Sequence, residues 1–198
     1  MEAENDPTLR FYARNAADYA GASSSSTGGR LDMFLAGLRP GAEILELGCG
    51  NGRDSAGMIA KGFRAMPTDG IAEMAAQASQ RLGMPVAVLR FEEIAAVAAF
   101  DAIWANACLL HVRRADLGGI FARVHRALRP GGVFYASFKA GEAEGHDGLG
   151  RYYNYPSKPW LRALCQQLPW QSLALDVTHG GAYDGQPTDW LHLLAVKD

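Results

Sequence analysis

Apolar and polar positions alternate with two different periodicities along this chain. Five short apolar runs predict strands, at 43–49, 63–69, 86–91, 100–107 and 132–139. Apolar positions three and four residues apart predict helices between these strands, at 53–61, 71–82, 92–98 and 116–128. Because strands that alternate with helices at this period are joined by right-handed crossovers, we expect an α/β fold with a doubly wound, mostly parallel sheet.

The residues before this pattern predict two further helices. Asp6 and Pro7 are typical of a helix start, and the amphipathic pattern continues from there to residue 20. A second short helix is expected at 31–38. The serine- and glycine-rich residues 22–29 between them predict a flexible connector, which is either a plain linker or a hinge for the first helix.

The residues after the pattern predict a polar loop, a helix and a pair of strands. The glycine-rich stretch 141–150 is expected to be an exposed loop. A helix is expected from a Ser157 cap. Two strands at 171–177 and 190–196 follow it, joined by the glycine-rich segment 180–187.

Composition narrows the class of protein. A chain of 198 residues with 48% hydrophobic residues suits one globular α/β domain, and its formal charge of −2 gives no basic excess for a nucleic-acid partner. Its three cysteines are far apart, so neither a disulfide framework nor a metal site is expected. The N-terminus is acidic and no apolar stretch approaches about eighteen residues, so we expect a cytoplasmic protein without a membrane partner.

The strongest local signal lies where the first predicted strand meets the next helix. Residues 46–55 read Glu-Leu-Gly-Cys-Gly-Asn-Gly-Arg-Asp-Ser. Glycine permits positive φ and lets a ligand approach bare main chain, while the helix that follows directs its unpaired N–H groups toward that ligand. The alternative is a turn that binds no ligand, but three glycines would destabilise such a turn without any structural need for them. A dinucleotide fingerprint would have glycine where Arg53 stands.

The stretch 46–52 resembles the first motif of class I S-adenosylmethionine-dependent methyltransferases. Asp69, 21 residues after Gly48, matches the acid that such folds place on the ribose hydroxyls, and residues 128–132 resemble the family's late motif. The form of residues 50–55 is similar to small-molecule and tellurite-resistance members. The resemblance spans roughly residues 8–140. It implies S-adenosyl-L-methionine as cofactor and a Rossmann-like sheet of seven strands with an antiparallel C-terminal hairpin.

The resemblance also implies a domain organisation for the chain. We expect a single methyltransferase domain over 1–198. It comprises an N-terminal helix and flexible lid at 8–30, a cofactor-binding core at 31–140, and a substrate-side loop, helix and terminal hairpin at 141–198. The sequence carries no signal for an oligomeric state.

A set of cofactor-binding residues follows from the resemblance. Glu46 is expected near the ammonium and Asp69 at the ribose, while Ile71 and Met74 either pack on the adenine or belong to a core stripe. Two tyrosines on one face of the first helix either pack in the ordinary way or cover the cofactor. The full set is Tyr12, Tyr19, Glu46, Gly48, Cys49, Gly50, Gly52, Asp69, Gly70, Ile71, Met74, Phe91, Glu92 and Asn106.

Two regions leave the chemistry open. Where the family often has an acid near the adenine amine, this chain has Phe91 and Glu92, so either the Glu92 side chain or the Phe91 backbone serves. The fourth strand is not followed by the Asp/Asn-Pro-Pro-Tyr/Phe signature of base amino-group methyltransferases, which disfavours a nucleobase acceptor. His111, after the same strand, is either a tentative proton acceptor or a packed histidine.

The acceptor pocket is expected in the insert 141–155. His146, Tyr152 and Tyr153 supply polar and aromatic groups on a loop at the carboxyl end of a strand, where open α/β sheets bind ligands. The favoured function is methyl transfer to a small-molecule acceptor. A methyltransferase-fold binding or regulatory protein without turnover is the alternative, and an NAD-dependent oxidoreductase is less favoured.

Overall fold

The computed structural model describes residues 6–22, 28–181 and 185–198. Residues 23–27 of the predicted connector at 22–29, and residues 182–184 of the predicted segment 180–187, lie outside these ranges.

A seven-stranded sheet forms the centre of the molecule. Its order is β3-β2-β1-β4-β5-β9-β8, in which β1 to β5 run parallel, β9 is antiparallel to β5, and β8 is antiparallel to β9. The strands are β1 Glu43–Leu47, β2 Arg64–Asp69, β3 Ala87–Val88, β4 Phe100–Ala105, β5 Leu128–Lys139, β8 Trp170–Gly181 and β9 Pro187–Lys197. A separate two-stranded hairpin joins β6 Gly145–His146 to β7 Tyr152–Tyr153. The predicted Rossmann-like sheet with an antiparallel C-terminal hairpin is confirmed.

Helices cover both faces of this sheet. They are α1 Pro7–Arg14, α2 Ala16–Ala22, α3 Gly28–Ala36, α4 Arg53–Ala60, α5 Ala72–Leu82, α6 Arg114–Ala127 and α7 Lys158–Cys165. Successive strand residues point to opposite faces, so Ile44 packs with α3 and Met58 of α4, whereas Leu45 belongs to the cluster that includes Phe121 of α6 and Leu161 of α7. This arrangement directs the carboxyl ends of β1, β2, β4 and β5 to one edge.

The predicted helix at 92–98 is wrong. Only a 3₁₀ turn forms, at Phe91–Glu93, and Ala98 has a φ of 45°. The segment instead bonds to the end of α6, where the N–H groups of Ala98 and Ala99 donate to the carbonyls of residues 126 and 127. These tertiary bonds override the helix propensity of an alanine-rich stretch.

The predicted N-terminal helix is two helices. Asn15 ends α1, since both its backbone N–H and its side-chain amide donate to the Phe11 carbonyl. The chain then continues as α2, and both short helices pack against α5.

Candidate functional site

The loop between β1 and α4 turns on three glycines. Gly48, Gly50 and Gly52 have φ of 61°, 58° and 76°. A Cβ at Gly48 would lie 2.4 Å from the Cys108 Cβ, and one at Gly52 would lie 3.1 Å from Leu82 of α5. The expectation that these glycines have no structural role was therefore wrong, because Gly48 and Gly52 make room for neighbouring side chains.

Asp69 lies at the carboxyl end of β2, beside this loop. One carboxylate oxygen accepts from the Gly50 N–H and the other from the Ile71 N–H, both at 3.0 Å. The residue is 7% exposed, and burial raises the pKa of its carboxyl to about 6. Its oxygens keep further lone pairs for a ligand in the adjoining cavity.

Two more carboxylates lie under the same loop. Glu46 is 3% exposed and accepts a hydrogen bond from the Ser55 hydroxyl. Burial, together with the charge of Asp54, raises the pKa of Glu46 to about 8. Asp54 itself accepts from Arg53 at 2.8 Å and from the Asn106 amide at 3.1 Å. A cation brought beside Glu46 would favour its ionised form.

A cavity of about 110 Å³ opens beside Asp69. Ile71, Met74 and Phe91 supply an apolar wall, and Gly70 lies among them. Residues of α1 and α2, Tyr12 and Tyr19 included, line the opposite side. The smaller cavity therefore combines apolar surface with one oriented carboxylate.

A second cavity, of about 540 Å³, adjoins the first. It lies between the β1–α4 loop, where Cys49 lines it, and the ends of β4, β5 and β9, where Asn106, Lys139 and Trp190 line it. Residues that line both cavities are Tyr12, Tyr19, Gly48, Gly50, Ala107 and His111. The two spaces therefore meet at the glycine loop and under α1 and α2.

His111 lies at this junction with both ring nitrogens engaged. Nδ1 lies 2.6 Å from the Tyr152 carbonyl oxygen, which can only accept, so Nδ1 carries the proton. Nε2 then accepts from the Tyr12 hydroxyl at 2.9 Å. Burial lowers the pKa of His111 to about 4, and the nearby charge of Arg151 also lowers it. The imidazole is therefore neutral at pH 7.

Arg151 joins the β6–β7 hairpin to the N-terminal helix α1. Its side chain is 1% exposed, and its guanidinium donates to Asp147 at 2.9 Å and to the Tyr12 hydroxyl at 3.2 Å. The same group lies 5.0 Å from the Phe11 ring centroid and 5.4 Å from that of Tyr153. These contacts hold α1 over the junction of the cavities.

Four predicted site residues lie away from both cavities. Gly52 packs against α5, and Glu92 is exposed and paired with Arg90. His146 is also exposed. The Tyr152 hydroxyl donates to Glu144 instead, because neighbouring residues of β7 point to opposite faces and only Tyr153 faces inward. The Tyr152 main chain does reach the site, through its bond to His111.

Several lining residues were missed from the sequence. Lys139 is the last residue of a predicted strand, so the rule that ligands bind at carboxyl ends could have found it. Trp190 and His192 come from the amino-terminal part of β9, which reaches the same edge because this strand is antiparallel. Arg151 stands in the loop that was singled out, but nothing in its spacing signals a buried guanidinium.

The described ranges contain neither a metal-binding cluster nor a membrane-spanning helix. No three His, Cys, Asp or Glu side chains in these ranges lie close enough together to hold a metal ion. Among the helices within the same ranges, none is long and apolar enough to cross a membrane.

Comparison with known proteins indicates which class of protein this fold belongs to. Residues 44–132 match a family model described as a methyltransferase domain. No curated protein matches the sequence significantly. Residues 44–132 thus match a methyltransferase domain, and the fold of the chain is the one found in solved structures of S-adenosylmethionine-dependent methyltransferases.

Solved structures agree with this class. A 1,6-didemethyltoxoflavin-N1-methyltransferase from Burkholderia thailandensis, with bound 1,6-didemethyltoxoflavin and S-adenosylhomocysteine, is 25% identical, with a TM-score of 0.72 over 96% of this chain and 87% of that chain. A phosphoethanolamine N-methyltransferase 2 from Haemonchus contortus, bound to S-adenosyl-L-methionine, is 15% identical, with a TM-score of 0.75 over 93% of this chain and 57% of that chain. The second likeness extends to the fold alone.

Proposed function

We propose that this protein transfers the methyl group of S-adenosylmethionine to a small molecule bound in the larger cavity. The observation that carries the proposal is the junction of the two cavities at Gly48 and Gly50. A cofactor lying along this loop, with its nucleoside in the smaller cavity and its amino acid end in the part of the larger cavity beside Glu46, would face an acceptor in the rest of the larger cavity. S-adenosylmethionine, when bound, supplies a methyl group already activated on a positively charged sulfur, so positioning accounts for much of the rate.

The residues of the smaller cavity suit a nucleoside. Asp69 presents a carboxylate fixed by two backbone donors, which can accept from ribose hydroxyls. Ile71, Met74 and Phe91 present apolar surface to a flat base. On the other side of the loop, Glu46 suits an ammonium group because its carboxyl ionises more readily beside a cation. The fit of these groups supports the assignment of S-adenosylmethionine to this loop.

Helices α1 and α2 cover the proposed cofactor site. The Tyr12 and Tyr19 rings pack edge to face with centroids 5.1 Å apart. Both tyrosines also line both cavities, and this position favours a role in covering the cofactor. We assign His111 the role of proton acceptor for acceptors that must lose a proton. Because the Tyr12 hydroxyl occupies its Nε2, the proton reaches His111 through Tyr12 or after Tyr12 moves aside.

A relative supports a small acceptor. The Burkholderia thailandensis enzyme is bound to 1,6-didemethyltoxoflavin, and the likeness covers 96% of this chain. The cavity of about 540 Å³ falls within the usual size of small-molecule sites. The looser resemblance to tellurite-resistance members stays a prediction.

Calorimetric titration with S-adenosylhomocysteine and, separately, with NAD tests the cofactor assignment. We expect binding of S-adenosylhomocysteine at one site and none of NAD, since the glycine loop lacks the dinucleotide spacing. Binding of NAD alone would refute the proposal.

A further inference from the structure

The helix α1 forms one side of the smaller cavity, where the nucleoside of the cofactor is assigned. Thr8, Leu9 and Tyr12 line this cavity on the side opposite Asp69. Among the described residues that line it, none belongs to the β6–β7 hairpin. A nucleoside bound there would therefore contact α1 without contacting the hairpin.

The hairpin nevertheless binds α1 directly. The Arg151 guanidinium donates to the Tyr12 hydroxyl at 3.2 Å and lies 5.0 Å from the centroid of the Phe11 ring. One turn earlier in α1, the Thr8 hydroxyl accepts from the Tyr152 N–H at 2.8 Å. Thr8, Phe11 and Tyr12 are three and four residues apart, so they share one face of the helix. The hairpin therefore holds the same face of α1 that lines the smaller cavity.

Arg151 is itself fixed within the hairpin. Its guanidinium donates to one Asp147 oxygen from two nitrogens, at 2.9 Å and 2.7 Å. Asp147 in turn accepts from the backbone N–H groups of Leu149 and Arg151, at 3.0 Å and 2.9 Å. A guanidinium held by such a carboxylate is an oriented donor, and its hydrogen bonds are stronger than those between neutral groups. Arg151 is therefore able to fix the position of Tyr12.

The bond from Arg151 also sets the direction of the next hydrogen bond. Because a guanidinium can only donate, the Tyr12 oxygen accepts from Arg151 and directs its own proton to His111 Nε2, 2.9 Å away. His111 Nδ1 then donates to the Tyr152 carbonyl at 2.6 Å. This chain of hydrogen bonds begins and ends in the hairpin, at Arg151 and Tyr152, and passes through α1 on the way.

We propose that Arg151 is a positioning residue that acts through Tyr12: it holds α1 over the bound cofactor and keeps the Tyr12 hydroxyl directed at His111. This inference rests on the proposed function, because it takes the nucleoside to lie in the smaller cavity. The hairpin thereby controls how long the cofactor stays bound, although it does not line that cavity. Because linkage is reciprocal, the bound cofactor stabilises the contact between the hairpin and α1 by the same factor.

The first test is the dissociation rate of S-adenosylhomocysteine from the full chain, measured by surface plasmon resonance. Arg151→Gln should raise this rate about tenfold or more, because α1 loses a hydrogen bond from a charged group. Arg151→Lys should recover part of the loss, since it keeps the charge without the planar fork. Arg64→Gln makes the same change at an exposed arginine paired with Glu43 and should leave the rate unchanged.

A second variant shows whether Arg151 acts through the Tyr12 hydroxyl. Tyr12→Phe keeps the ring and the Arg151–Asp147 pair but removes the hydroxyl, and it should also raise the dissociation rate. If both side chains act through one hydrogen bond, the double variant should dissociate no faster than the faster single variant, whereas independent effects multiply. If Arg151→Gln does not fold, Tyr12→Phe and Arg151→Lys supply the rate comparison.

Hydrogen exchange gives a readout that an arginine important only for stability would not change. In the original chain, S-adenosylhomocysteine should slow exchange of the α1 amides and also of the Tyr152 N–H, which donates to Thr8, by about fivefold or more. In Tyr12→Phe and Arg151→Gln, the effect of the ligand on the Tyr152 N–H should be largely lost. The amides of β1 provide the control, because the Arg151 contacts do not reach that strand.

Three results would overturn the inference: an unchanged dissociation rate in Arg151→Gln, or in Tyr12→Phe where the first variant does not fold; effects that multiply in the double variant; or no effect of the ligand on exchange of the Tyr152 N–H. Each of them leaves the proposed function standing as long as S-adenosylhomocysteine binds. Failure of S-adenosylhomocysteine to bind the original chain would instead refute the proposed function.

Discussion

The two walls of the larger cavity are built in different ways. The cofactor-side wall comes from one continuous stretch, residues 46–54, supported by Asp69 of the next strand. The acceptor-side wall joins His111, Lys139 and Tyr153, which follow or end three different strands. The first wall depends on backbone conformation, whereas the second depends on side chains that the fold brings together from distant positions.

Because the two walls are built differently, we expect mutations in them to have different effects. A change in the cofactor-side wall alters the path of the backbone, so it should affect stability and cofactor binding together. A change on the acceptor side removes a side chain from a frame that other residues hold. Acceptor recognition should therefore be separable from cofactor binding.

The largest effect is expected for Gly48→Ala. The added Cβ would lie 2.4 Å from the Cys108 Cβ at a φ of 61°, so the loop or its neighbour must shift. We expect a loss of about 3 kcal/mol or more in the free energy of unfolding, measured in urea, and loss of S-adenosylhomocysteine binding. Gly62→Ala is the matched control. Its φ is 82° but nothing lies within 4 Å, so it should cost only about 1 kcal/mol. Equal losses in the two variants would contradict the packing argument.

The next effect is expected for Asp69→Asn. The amide keeps the shape of the carboxylate but replaces one acceptor with a donor that faces a backbone N–H. S-adenosylhomocysteine should bind about 1.5–3 kcal/mol more weakly by calorimetry. Asp176→Asn, at an exposed position of β8, serves as the control. A folded Asp69→Asn variant with unchanged affinity would show that this carboxylate does not bind the cofactor.

A smaller effect should distinguish two neighbouring tyrosines. Tyr153→Leu removes a ring from the acceptor-side wall, and Tyr152→Leu removes one that faces Glu144 outside it. The rate of methyl transfer to the best acceptor from a compound screen should fall roughly tenfold in the first variant, because the acceptor loses its position. The second variant should keep its rate, since the Tyr152 main chain still reaches His111. Similar rates would remove the distinction between the inner and outer faces of β7.

The smallest effect concerns pH. The pKa of His111 is lowered to about 4 by burial, so the neutral form is favoured in the folded state. Its contribution to stability is fully present above the ordinary pKa of about 6.5 and is lost as pH falls toward 4. Between these limits the original chain should lose on the order of 1 kcal/mol more than His111→Gln, measured by urea unfolding at several pH values. Parallel pH profiles would show that His111 is not buried as described.

The cofactor-side wall and the sheet could be predicted because their signals are local. Alternating apolar runs and helical spacing define the strands, and the glycine loop follows β1 directly. The wrong predictions in these two regions concern single segments and residues. Residues 92–98 have helical propensity, but their N–H groups bond to the end of α6. Gly52 looked like a ligand contact, but its position is explained by the proximity of Leu82.

The acceptor-side wall could be predicted only in part. The insert 141–155 was identified by its composition, but composition does not say which face of a two-residue strand points inward. The side chains of His146 and Tyr152 do not line the larger cavity, whereas Tyr153 does. Arg151 is buried through contacts with Phe11 and Tyr12, which are far away in the sequence. Such contacts depend on tertiary packing.

Transfer of an isotopically labelled methyl group tests the central claim most directly. The purified protein is incubated with labelled S-adenosylmethionine and a metabolite extract that has been freed of protein and nucleic acid. We predict that the label appears in a small molecule, and that Tyr153→Leu transfers roughly tenfold less label while still binding S-adenosylhomocysteine. Binding of S-adenosylhomocysteine with no transfer to any small molecule, or transfer only when macromolecules are added back, would contradict the account.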